Sequence, residues 1–176
     1  MLVGCAGLLI ASLAVQAVPD AIAAKLTATN ETRGAFVQTK RLPTGETYVS
    51  RGTYRIRPGV DFEWRTTEPF ETLFWSDRSV CVYSNEDERV ERPLADLPGF
   101  ARFAAAGDGD ARAFFEAFDA LYAEDGDGTF HVLARPKDAR LKKALARIDA
   151  DGVVTNWTLR ATFPTGVTFE IRFADE

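Results

Sequence analysis

Cys81 and His131 are the two residues whose types could together do covalent chemistry. A thiolate nucleophile needs a base beside it, and His131 is the sole histidine of the chain. Cys81 lies in the apolar run Val80-Cys81-Val82-Tyr83, which reads as a small buried hydrophobe, and nothing in the spacing brings it to His131. A zinc or hydrolytic centre needs clustered His, Cys, Asp or Glu, and one histidine gives no such spacing. Asp108-Gly109-Asp110 and Asp125-Gly126-Asp127-Gly128 resemble fragments of calcium loops. They lack the glycine at position six and the closing glutamate at position twelve, so they read as solvated turns. There is no phosphate loop, dinucleotide glycine fingerprint or Gly-x-Ser-x-Gly elbow. The expectation is no catalytic residue, no metal and no cofactor; an esterase or acyltransferase built on Cys81 ranks last.

What remains is aromatic surface. Phe62, Trp64, Phe74 and Trp75 crowd onto consecutive strand-like segments between residues 35 and 83, with Arg57 at a strand end where it can hydrogen-bond neighbouring carbonyls or a ligand head group. Burying rings stabilises a core by about 1.5–3 kcal/mol each, so the same residues also suit a filled interior.

A net charge of −5 argues against nucleic acid or an anionic membrane surface as main partner, since both select a basic face. The basic stretch 135–147 remains a local patch. With 176 residues and no low-complexity linker, one domain is expected. Residues 1–17 form an uncharged apolar run ending in Val15-Gln16-Ala17, and read as a cleaved export signal. The mature domain is then 18–176. Leu2-Val3-Gly4-Cys5 resembles an acylation box, but a box should end the apolar region and this one begins it, so cleavage is preferred over lipidation of Cys5.

The elements that must position the rings follow from periodicity. Asp20 caps a helix carrying Ile22 and Leu26, fading by residues 30–34. Alternation then predicts a hairpin of residues 35–42 and 46–57 about Pro43-Thr44-Gly45. In its second strand Tyr48, Ser50, Gly52, Tyr54 and Ile56 share one face, against Arg51, Thr53, Arg55 and Arg57. Residues 60–67 put Phe62, Trp64 and Thr66 on one side. Residues 70–75 carry large apolar groups on both. Ser76-Asp77-Arg78 turns into 80–84, which residues 89–92 can pair briefly. Residues 111–123 read as a helix with Phe114, Phe118, Leu121 and Tyr122 on one stripe. Residues 140–148 fit strand or helix. A final hairpin, 153–162 and 167–173, turns at Pro164-Thr165-Gly166.

The succession Gly34-Ala35-Phe36-Val37-Gln38, Ser50 to Pro58, Phe62-Glu63-Trp64, Pro69, Ser76-Asp77 and Val82-Tyr83 resembles the periplasmic outer-membrane lipoprotein carriers of the LolA type. A looser match runs through Leu133-Ala134-Arg135-Pro136, Ile148-Asp149 and Asp151-Gly152. The resemblance implies an α+β, mainly antiparallel fold: an incomplete, strongly curved half-barrel covered by helices, with acyl chains in its apolar cavity. Phe36, Tyr54, Phe62, Trp64, Phe74, Trp75, Phe114 and Phe118 are the expected lining. Arg57 matches an arginine that latches the helical lid, formed by 20–30 and 111–123. The implied protein is a monomeric carrier in the periplasm of a Gram-negative bacterium. It takes lipoprotein or other lipid cargo from an inner-membrane transporter to an outer-membrane acceptor. The competing expectation is a non-catalytic envelope scaffold module with a filled core.

Overall fold

The structure is a computed structural model that describes residues 31–57, 59–77, 79–96, 117–153 and 155–175. Two meanders make one sheet. β1 (Thr32–Arg41), β2 (Thr47–Arg57), β3 (Asp61–Glu68), β4 (Thr72–Asp77), β5 (Val80–Ser84) and β6 (Arg89–Pro93) pair in chain order. β7 (Phe118–Glu124), β8 (Phe130–Pro136), β9 (Arg147–Val153), β10 (Asn156–Thr162) and β11 (Thr168–Asp175) do likewise, and β1 pairs with β11. The result is an eleven-stranded, wholly antiparallel sheet with β6 and β7 as its two edges. Among the described residues it is not closed, since β6 and β7 do not pair.

Turn chemistry sets the register where the sequence predicts it. At Pro43-Thr44-Gly45, Leu42 donates to the Glu46 carbonyl and Gly45 to that of Leu42, with Gly45 at φ 96°. Pro164-Thr165-Gly166 repeats the arrangement with Gly166 at φ 82°. Only glycine adopts such angles without strain. The β4–β5 turn is held by Asp77, whose Oδ1 accepts from Ser79 N, Ser79 Oγ and Val80 N. Those backbone donors, Val80 and then Ser79, hold its carboxyl below the usual aspartate range. The short pairing of residues 89–92 with β5 is present as β6.

The helical expectations need correction. Among the described residues the α-helix is α1 (Ala139–Ala144), capped by Asp138 Oδ1 accepting from Arg140 N and Leu141 N. The ambiguous stretch 140–148 is thus helix first and strand after. The helix expected over 111–123 is overturned in its second half, because residues 118–124 are β7, paired throughout with β8. Phe118 and Leu121, neighbours on a helical stripe, lie on opposite sides of the strand: Phe118 is 1% exposed and Leu121 51%. Ladder pairing with β8 outweighs a helix pattern of intrinsically small energy. Residues 111–116, with Phe114, and the expected helix over 20–30 lie outside the described residues, as do residues 1–17.

Candidate functional site

Directly paired residues of adjacent strands share a face of the sheet. The register therefore assigns every side chain. One face carries Phe36, Tyr54, Ile56, Phe62, Trp64 and Phe74, and continues through Phe173, Trp157, Leu159 and Ala161 to Ile148, Ala134 and Phe118. The other carries ion pairs: Arg51 with Glu68, Arg55 with Glu63, Arg57 with Asp61, Arg147 with Asp149, and Arg160 with Asp151 and Glu170. Exposed pairs such as Arg51 with Glu68 contribute about 0–1 kcal/mol each, whereas Asp61 and Val82 on the same face are buried.

The sheet curls toward its apolar face. On a flat sheet, strands about 4.8 Å apart put the backbones of β3 and β11 about 14 Å from each other, yet the Trp64 and Phe173 ring centroids are 6.0 Å apart. Glycines make room beneath the rings. The Phe36 and Trp64 rings stack at 3.7 Å over Gly52, where a Cβ would sit 2.8 Å from Phe36 Cζ and 1.9 Å from the Arg65 carbonyl oxygen. A register shift between Arg51 and Gly52 marks a bulge at that point. Trp157 and Phe173 stack at 4.1 Å. Phe130 reaches Trp157 at 6.3 Å across Gly152, which has φ 137°. A band of rings thus spans β3, β1, β11, β10 and β8.

The two halves of this face are occupied differently. Toward β7, Phe118, Ala134, Leu145 and Ile148 are buried as one cluster with Ala161, and Leu141 of α1 packs onto it. Side chains of the sheet together with Leu141 and Leu145 fill that half. Toward β4, Phe36, Tyr54 and Phe173 are buried, while Phe62, Trp64 and Phe74 beside them are only half-buried.

Of the expected lining, Phe36, Tyr54, Phe62, Trp64 and Phe74 come together on the ring-lined half. Phe118 shares their face but is sealed in the filled cluster. Trp75 does not join them: strand alternation puts it on the charged face, where its Nε1 donates to Asp61 Oδ2 at 3.2 Å. Arg57 is on that face too. Its Nε donates to Asp61 Oδ1 at 2.7 Å and its Nη2 to Asp61 Oδ2. Asp61 is buried, with Arg55 Nη2 3.5 Å away. The Arg57 hydrogen bonds, then that from Trp75, hold the Asp61 carboxyl below the usual range despite its burial. Sequence reasoning named Arg57 without its acceptor. Trp157, Phe130 and Phe173 were missed as lining, although Phe173 stood in the predicted alternation of the last strand.

Cys81 and His131 are not assembled into a pair. Cys81 is buried on β5, next to one edge of the strand order; His131 is exposed on β8, next to the other, and sits on the opposite face with Asp125 Oδ2 3.3 Å from its Nε2. Among the described residues, no group of three or more His, Cys, Asp or Glu side chains is placed to hold a metal ion.

No protein-family model and no curated protein matches the sequence. Among solved structures, the chain is similar to a LolA superfamily protein from Nitrosomonas europaea, at 9% identity and a TM-score of 0.46, covering 88% of this chain and 91% of that one. It is also similar to a DUF1329 family protein from Desulfovibrio piger, at 12% identity and a TM-score of 0.48, covering 88% of each.

Proposed function

We propose that the protein is a non-catalytic carrier that holds acyl chains of a lipid or lipoprotein against the ring-lined half of its concave face. The observation that carries the reading is Phe62, Trp64 and Phe74, only half-buried on three adjoining positions of one curved apolar face. Large side chains at such positions stabilise a fold less than buried ones do, and they offer a non-directional surface suited to chains of variable length. Release without covalent chemistry requires that cargo contacts be nearly balanced by what replaces them. In this reading the carrier works as a monomer in a Gram-negative periplasm, between an inner-membrane donor and an outer-membrane acceptor, and Arg57 with Asp61 fixes the β2–β3 end of the sheet. Native mass spectrometry of delipidated protein mixed with a synthetic acylated lipopeptide tests it. A stoichiometric complex is expected; no complex with any acylated ligand overturns it.

The filled cluster of Phe118, Ala134 and Leu145 favours a second reading, an envelope scaffold module whose interior is complete. That reading predicts partners that remain bound after lipid extraction, and no acyl complex.

A further inference from the structure

The concave face is apolar but not uniformly so. Apart from Asp175 at the last position of β11, the register from β5 across to β8 places one charged residue on this face: Lys40. Its strand partners there are Phe169 and Tyr48. Its Nζ lies 5.6 Å from the centroid of the Phe169 ring, and no carboxylate among the described residues pairs with it. The contrast with the opposite face, where arginines repeatedly find acids, is sharp. Lys40 is half-buried, and two positions nearer the ring band Gln38 Nε2 is 3.4 Å from Ser50 Oγ. Along β1 the face therefore runs from buried Phe36 through an amide and a hydroxyl to a cation. Strand rise spreads that gradient over about 14 Å.

An ammonium without an acid partner, at the polar end of an apolar strip, is arranged to receive an anion whose remainder is greasy. We infer that Lys40 is the head-group contact for an amphiphile with one apolar chain on the ring band and an anionic head, a carboxylate or a phosphate monoester. The inference rests on the carrier reading and specifies how cargo is oriented within it. It does not conflict with the net charge of −5, because a local cation in a partly water-excluded setting acts at contact range, whereas net charge governs approach to extended anionic surfaces.

The experiment compares palmitate, hexadecyl phosphate and uncharged hexadecanol, each below its aggregation limit, in calorimetric titrations of the wild-type protein, Lys40→Met and Lys40→Gln. A charge-assisted hydrogen bond predicts about tenfold tighter binding of an anionic ligand than of the alcohol, a gap that narrows with salt. Both variants should lose that gap while retaining affinity for hexadecanol. The two anionic arms distinguish a carboxylate from a phosphate. Equal binding of all three by the wild type, or equal loss of all three in both variants, overturns the head-group role and leaves the carrier reading standing. Failure of all three to bind the wild type overturns both. Unchanged thermal unfolding of the variants separates these outcomes from misfolding.

Discussion

The filled half and the ring-lined half of the concave face are built from the same antiparallel ladder, yet they solve the packing problem oppositely. Between β7 and β10 four inward positions are alanines, Ala120, Ala134, Ala150 and Ala161, set among Phe118 and Ile148, and Leu141 of α1 packs with Leu145 onto that cluster. Between β1 and β4 the inward positions are large, and neighbouring rings support one another while keeping an exposed flank. A helix laid on alanines makes a core; rings laid on glycines make a surface. The first half is where stability concentrates, and the second is where binding is possible.

The largest effect expected from this contrast lies in the filled half. Phe118→Ala should cost about 3–5 kcal/mol, because the ring is fully enclosed and its site cannot collapse against a strand ladder. Urea denaturation measures it. A cost near that of an exposed substitution would erase the distinction between the halves. Next is Gly52→Ala, where the added methyl meets the Arg65 carbonyl and the Phe36 ring. We expect a loss of about 1–3 kcal/mol and, in near-ultraviolet circular dichroism, loss of the Phe36–Trp64 signal.

Asp61→Ala should cost about 2 kcal/mol, since Trp75 Nε1 loses its acceptor and Arg57 its partner. The carboxyl titrates lower in the folded than in the unfolded protein. Its contribution is therefore complete above the ordinary aspartate value of about 3.9 and disappears as pH falls through the lower folded value. The variant should show a shallower acid limb in unfolding curves recorded between neutral pH and the acid range. The smallest stability effect belongs to Phe74→Ala, about 1 kcal/mol for a half-buried ring. The same variant should bind palmitate about tenfold more weakly. A large stability loss with unchanged binding would make Phe74 an ordinary core residue.

The strands of the first meander and the final hairpin were legible because alternation and two Pro-Thr-Gly turns encode them locally. The opposed faces of β2 and β3 followed from the same alternation. β7 was not legible. Phe118, Leu121 and Tyr122 satisfy helical spacing, and only pairing with β8, contributed by residues 130–136, decides for strand. Trp75 was misplaced for a related reason: with Phe74 and Trp75 adjacent, one ring must face each way, and the sequence does not say which. The partner of Arg57 lay four residues on in Asp61, hidden because hairpin geometry folds the two together. Lys40 was invisible as a special residue, since its isolation appears only when the strands from β5 across to β8 are aligned.

The central claim is that acyl chains occupy the ring-lined concave face, and the three tryptophans of the chain are placed to test it. Trp64 and Trp157 lie on that face and Trp75 on the other. Fluorescence of proteins retaining one tryptophan each, the other two replaced by phenylalanine, should be measured against a dibrominated fatty acid, whose bromines quench only at close approach. Saturable quenching of Trp64, weaker quenching of Trp157 and none of Trp75 is the predicted result. Quenching of Trp75 equal to that of Trp64, or no quenching of either, would contradict the account.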